Sequence, residues 1–242
     1  MASVAFAEAG SPGVLANRIG WINFGAGFIL TPNTNTSILI TNDIPGNYEI
    51  RFNISLTQTG EPDIGITAVT PPTIPGQSAF GTTGYVGINA PVNLYMNANA
   101  PSSFVTLTIT LDDITVINKS TGLQISNYSI VAADNEVSNA TELWTVVTNG
   151  GPWIKLETLP AVAEPTSAYR IIGDGSSTIS ANSVNVPGEG DENTPAIVVL
   201  SESPTQVQAI FTTEVGREGV TFGVIINDNF KPIYNCCNII KS

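Results

Sequence analysis

The stretch VAADNEVSNATELW, residues 131–144, places three carboxylates, Asp134, Glu136 and Glu142, within nine residues of a chain that is only 12% charged. Asn135 and Asn139 lie among them. These residue types suit three kinds of chemistry. Carboxylate, amide and backbone oxygens are the ligands hard cations take, so Asp134 and Glu136 are candidate calcium ligands. The Asp-x-Asp-x-Asp-Gly spacing of a dedicated calcium loop is absent. The same oxygens accept hydrogen bonds from sugar hydroxyls. A pair of them, Asp134/Glu136 or Glu136/Glu142, is also the minimum equipment of a glycoside hydrolase. Residues two apart on a strand share a face with Cα atoms about 6.6–7 Å apart, which is compatible with such a pair without requiring it. The plain alternative is a polar loop whose Asp and Asn side chains cap turns.

Other chemistry is excluded or open. The chain has no histidine, which removes Ser-His-Asp and Cys-His catalysis and the commonest zinc ligand. No glycine-rich nucleotide motif opens a helix, and Gly173-Asp174-Gly175 reads as a turn. Trp21 and Trp144 lie in apolar runs and are expected in the core. Trp153 follows Gly150-Gly151-Pro152 beside Asn149, where burial and an exposed stacking platform for a sugar ring both fit. Tyr85, in a long Gly- and Asn-rich segment, is a second stacking candidate. The two cysteines, Cys236 and Cys237, are adjacent and near the C-terminus. A vicinal disulfide is strained, so they are either free thiols or cross-links between molecules.

Composition narrows the class. The net charge is −12, and the eight Lys and Arg are scattered singly, so no basic patch for nucleic acid or an anionic membrane exists. No run approaches the roughly 20 apolar residues of a membrane helix. Ala5-Phe6-Ala7 has a small-x-small form, but nothing basic or long and apolar precedes it, and residues 1–10 are expected to be flexible.

Hydrophobicity recurs with period two almost throughout, which predicts strands and almost no helix. The strands expected are 18–24, 36–41, 47–56, 64–69, 104–117, 126–133, 142–148, 154–158, 168–172, 196–200, 206–214 and 220–227. Pro-Gly, Gly-Gly and Asp-Gly turns separate them. The expected fold is all-β: a jelly-roll-like antiparallel β-sandwich with long loops, each strand having one core face and one polar face. It occupies 11–228 as one domain, followed by a flexible tail, 229–242, that carries the cysteines. Loops 71–100 and 183–195 are long enough to bind a ligand.

Taken in order, Arg18–Phe24, Ala79-Phe80-Gly81 with Gly84-Tyr85, Tyr128–Glu136, Glu142, Thr148–Trp153 and Gly219–Val224 resemble the non-repetitive, lectin-like domain of CshA-type bacterial fibril adhesins, over roughly residues 10–226. The resemblance implies a sandwich on the cell surface that binds host glycoprotein or glycan, without catalytic residues. Its acidic pattern falls on Asp134, Glu136 and Glu142. Two features depart from the family pattern: no long repeat array, wall-anchoring signal or clear export signal is read, and Asn235-Cys236-Cys237-Asn238 lies near the C-terminus. The expected function is therefore a non-catalytic surface-binding module whose loops at one end, with Asp134, Asn135, Glu136, Asn139, Glu142, Asn149, Trp153 and Tyr85, form the ligand surface. Calcium is the only cofactor considered. The alternative is a structural subunit of a spore-surface or appendage assembly, its siblings joined through Cys236 and Cys237.

Overall fold

A computed structural model describes residues 2–72, 80–98, 104–135, 142–159, 169–183, 196–213 and 217–227. Strands, turns and irregular stretches make up these residues, and no helix occurs among them. In chain order the strands are β1 (Ala2–Ser3), β2 (Gly20–Trp21), β3 (Ile29–Leu30), β4 (Ile38–Ile44), β5 (Tyr48–Thr59), β6 (Ile66–Val69), β7 (Asn93–Met96), β8 (Val105–Asn118) and β9 (Leu123–Ile125). They continue as β10 (Tyr128–Asp134), β11 (Leu143–Thr148), β12 (Ile154–Leu159), β13 (Tyr169–Ile172), β14 (Thr178–Ser183), β15 (Ala196–Glu202), β16 (Val207–Thr213) and β17 (Gly219–Ile226). One sheet runs β1-β4-β5-β8-β16-β11-β14-β13, with β9 also on β8. The other runs β12-β15-β10-β17-β7-β6-β3, with β2 also on β17. Every pairing is antiparallel except β1 with β4. The two open sheets form the expected all-β sandwich.

The first sheet follows the period-two rule. In β5, Ile50, Phe52, Ile54 and Leu56 face the core, while Arg51, Asn53, Ser55 and Thr57 face outward. β8 and β16 repeat the pattern with Leu107 and Ile109, and with Ala209 and Phe211. These side chains meet Ile130, Ala132, Ile197, Val199, Val220 and Phe222 of the second sheet to make the main core.

The second sheet breaks the rule. β10 is buried at every position, and β15 and β17 at all but one. Their other face carries a second core. Val131, Ala133, Val198, Leu200 and Ile225 pack there under Ile19, Trp21, Phe80, Tyr85 and Val92. Residues from the N-terminal stretch and from 80–92 thus form a coil layer over the sheet. Trp21 is its centre, with the Phe80 and Tyr85 rings edge-on at 4.8 Å. Gly223 lets it settle: a Cβ there would lie 2.6 Å from Ile19.

Three expectations are corrected by this layer. β10, β15 and β17 have no polar outer face. The part of the 71–100 segment that is described is packed cover rather than a free binding loop. The N-terminal residues 2–10 are not loose: Ala2 and Ser3 pair with Asn42 and Asp43, Val4 is buried, and Ala5 bridges to Trp21. Burial of Val4 and exchange of backbone hydrogen bonds offset the entropy of ordering this stretch.

Strand polarity defines two ends. At one end β10 finishes at Asp134, β11 begins at Leu143, β16 finishes at Thr213 and β17 begins at Gly219. At the other end lie Asn149–Trp153, Ser203–Thr205, Asn127 and Asn227.

Candidate functional site

The inward faces of both sheets terminate in acids at the first end. Asp134 continues the inward series Ile130, Ala132, and Glu142 precedes inward Trp144. Glu218 precedes inward Val220, and Thr213 ends the inward series of β16. All four are buried, the acids at 1%, 5% and 0% exposure. Buried carboxylates require polar partners, and none of these is without one. They close the end of the main core. Among the described residues, no three acidic side chains come together as a cation site.

Asn135 lies on the opposite face and anchors the point where the chain leaves β10. It reaches across β17 to β7, where its Nδ2 donates to the Leu94 carbonyl at 3.3 Å. The crossing depends on Gly219, whose Cβ would sit 2.6 Å from both Asn135 Nδ2 and Leu94 O. Thr221 Oγ1 is 2.5 Å from Oδ1 of Asn135 and 2.5 Å from Oδ1 of Asn93. A hydroxyl has one proton and cannot donate to both. The Leu94 bond fixes the Asn135 amide with its oxygen toward Thr221. The hydroxyl lies between the two amides and donates its proton to one amide oxygen at a time. A chain of hydrogen bonds, fully buried, joins three strands at this end.

The other expected residues are elsewhere. Asn149 begins the turn after β11, so it lies at the far end of a six-residue strand from Glu142, about 23 Å away. The two do not share a surface. Asn149 Oδ1 accepts from the Thr205 and Gln206 amides at 3.0 and 2.8 Å, and its Nδ2 donates to Thr205 Oγ1 at 2.9 Å. Gly150 fits against the same turn, where a Cβ would lie 2.4 Å from Glu202 O. Trp153 is 0% exposed in the main core, and Tyr85 is 0% exposed in the second. Neither is a stacking platform, because no face of either ring is open to a sugar. Trp21 and Trp144 are buried as expected.

Tyr85 instead pins the coil layer. Its hydroxyl donates to Glu157 Oε1 at 2.5 Å, and the same oxygen accepts from Val14 N at 2.7 Å. Burial, reinforced by the Glu157 charge, holds the phenol far above its ordinary pKa. Tyr128 plays a similar part at the Asn149 end: its hydroxyl donates to Pro204 O at 2.7 Å, and burial pushes its pKa up to about 12. A surface cavity of about 240 Å³ on the N-terminal layer, lined by Glu8, Ser11 and Asn17, includes none of the expected site residues. Glu136, Asn139, Cys236 and Cys237 lie outside the described residues.

Sequence reasoning missed Asn93, Thr213, Glu218 and Thr221, which are remote in sequence from 131–144. One signal was available: Thr221 is the lone polar residue in the apolar run Gly219–Ile226.

With this geometry the motifs acquire positions. Ile19 and Trp21 of the first motif and Phe80 and Tyr85 build the coil layer, Tyr128–Asp134 and Gly219–Val224 are the central strands beneath it, and Thr148–Trp153 leads through the far turn. The family model for the surface adhesin CshA non-repetitive domain 2 matches residues 17–226, which span all of these. The chain belongs to the CshA surface-adhesin family. The matched stretch of this adhesin domain includes both cores and both ends of the sandwich. A search of curated proteins finds no match. Among solved structures, the enzymatically active domain of bacteriophage CBA120 tailspike protein 4 is similar at 12% identity and a TM-score of 0.29. That similarity covers 74% of this chain and 19% of the tailspike chain, and at that score it carries no argument about fold or activity. No helix among the described residues of the adhesin domain is long and apolar enough to cross a membrane.

Proposed function

We propose that this adhesin domain is a non-catalytic binding module of a bacterial surface, recognising host glycoprotein or glycan through the acidic end of its sandwich. The observation that carries the reading is the anchoring of both ends of the 135–142 segment. Asn135 is tied to β7 through Gly219 and Thr221, and Glu142 is buried against the core. A short segment held at both ends loses little entropy on binding, which favours recognition. In this reading Asp134 and Glu142 support the loop, while Glu136 and Asn139, between the anchors in sequence, meet the ligand. Glu136 and Asp134 oxygens also suit a calcium ion that would order the segment.

The test is a glycan array probed with the intact chain, with and without calcium. Specific hits that disappear in Glu136→Gln plus Asn139→Ala support the reading. An array without hits under either condition, together with no binding to host glycoproteins, overturns it.

A second reading is favoured by a separate observation. Both thiols of the chain, Cys236 and Cys237, are adjacent in sequence and come after Ile226, the end of the last described strand. In this reading the protein is a structural subunit of a spore-surface or appendage assembly. Cys236 and Cys237 join sibling subunits. A non-reducing gel tests it: ladders should form under oxidising conditions and vanish in Cys236→Ser plus Cys237→Ser.

A further inference from the structure

The first sheet is capped along one flank except at four residues. β5 is the longer strand of the terminal hairpin, and β4 pairs with it only from Tyr48 to Ile54. Where β4 stops, Asn33 takes over the edge. Its backbone N–H donates to Leu56 O at 3.2 Å, its Nδ2 donates to Gln58 O at 3.2 Å, and its Oδ1 accepts from Gln58 N at 3.1 Å. On β4 itself, β1 covers Asn42 and Asp43 in parallel, and the Val4 amide donates to Asp43 O at 3.0 Å. Between these two caps lies Ile38–Thr41. No described residue pairs with its outer edge.

The gap is apolar as well as open. Ile38 is 38% exposed and Leu39 is 64% exposed. The four residues Ile38-Leu39-Ile40-Thr41 contain no lysine, proline or other device that normally blunts an edge strand. The remaining edges of the described molecule are less suited to taking a strand. β3 has two residues and β9 has three, against the four of this gap; β12 carries Lys155, Glu157 and a β-bulge, and β13 carries Arg170. The gap is also in line with β1, which shows that this edge already accepts an added strand in parallel.

The chain supplies a segment of the right chemistry beyond its last described residue. Segment 228–242 holds the pairs Ile233-Tyr234 and Ile239-Ile240, residue types that favour strands. It carries two lysines against one aspartate, in a chain whose net charge is −12, so it is attracted to the body of any copy it meets. We infer that Ile38–Thr41 of β4 is the acceptor for segment 228–242 of a second copy, which adds to the first sheet as a short edge strand. The mode is β-augmentation, with main-chain hydrogen bonds giving affinity and Ile38 and Leu39 giving apolar contact. A donor and an acceptor on the same chain make the interface heterologous, which permits rings or open chains of subunits. This deepens the subunit reading by naming the surface that receives the tail, and it does not depend on disulfides forming.

The test uses the full-length chain with reductant present, so that thiol cross-links play no part. Sedimentation velocity over a concentration series should show reversible self-association. Leu39→Lys on the acceptor and Ile239→Asp plus Ile240→Asp on the donor should each weaken it by about tenfold or more. Leu39 is largely exposed, so its lysine variant should keep the melting temperature of the parent. Hydrogen exchange at Ile38–Thr41 should slow as concentration rises, and stay fast in both variants. Self-association that persists in both variants overturns the inference. So does a chain that stays monomeric throughout, or protection at Ile38–Thr41 that is independent of concentration, since an intramolecular cap would produce that. Loss of the disulfide ladder alone would sink the cross-linking reading and leave this one standing.

Discussion

Thr221 sits in the middle of an apolar strand, and its hydroxyl is the link between two buried amides. Thr221→Val keeps the shape and removes the link, leaving Asn93 and Asn135 each short of a partner. The expected cost is about 1–3 kcal/mol per amide left unsatisfied. Thr221→Ser keeps the hydroxyl and should recover most of that loss. Urea denaturation of the two variants checks this, and equal stabilities would contradict the hydrogen-bond chain. Gly219→Ala acts on the same chain sterically, because its Cβ has backbone on one side and the Asn135 amide on the other. It should destabilise by about 1–3 kcal/mol, as overpacking does. Tyr128 supplies a pH prediction. Its folded pKa, about 12, lies above the ordinary value of 10.0. The unfolded chain therefore loses this proton first as pH rises, so the stabilisation is whole below pH 10 and drains between 10 and 12. Denaturation at pH 9 and pH 11 should show a smaller loss in Tyr128→Phe than in the parent. An identical loss would mean that the phenol is not held neutral.

At the scale of elements, β10, β15 and β17 behave like strands of a three-layer protein. A sheet with one solvated face alternates, whereas a sheet covered on both faces reads as a continuous apolar run. Ile130-Val131-Ala132-Ala133 and Ala196-Ile197-Val198-Val199-Leu200 are such runs. Val131 separates the two descriptions experimentally. On a solvated face Val131→Asp would be nearly neutral. Under the coil layer it places a charge among Ile19, Trp21 and Phe80, and should cost several kcal/mol, about 3 or more. Thermal melting distinguishes the outcomes. The coil layer is itself an element, held by Trp21 and by the Tyr85–Glu157 contact. Tyr85→Phe should loosen it first, visible as faster exchange of the Val14 and Val86 amides before any change in the strands.

For the whole molecule, the open question at the acidic end is whether a cation completes it. A bound ion stabilises by roughly 2.7 kcal/mol at 100 times its Kd, enough for a clear shift in melting temperature. Calcium should raise the Tm of the parent chain and leave Asp134→Asn plus Glu136→Gln unmoved. The absence of a shift would return the cluster to a hydrogen-bonded support for the loop. The distribution of roles would then be simple. The two cores hold the sandwich together, the acidic end is the surface we propose for a ligand, and the open flank of β4 the surface we propose for another copy.

The local sequence determined the strands because side-chain alternation and turn residues act over a few positions. Twelve of the strands fall where periodicity put them, from Gly20–Trp21 to Gly219–Ile226. The short ones, such as Ala2–Ser3 and Ile29–Leu30, left no period to read. The family was legible too, through spaced motifs that turn out to be packing sites: Trp21 on Gly223, Asn149 on Thr205 and Asn135 over Gly219. What only the tertiary structure decided is which residues meet. An acid is equally polar in a loop or at the end of a core, and a tryptophan beside a Gly-Gly-Pro turn is equally aromatic inside or out. Sheet order joined Asp134 to Glu142 and Glu218 at one end, and strand direction sent Asn149 to the other. Burial withdrew Trp153 and Tyr85 from any ligand, because covering both faces of the second sheet required large rings at its centre and a coil layer above it.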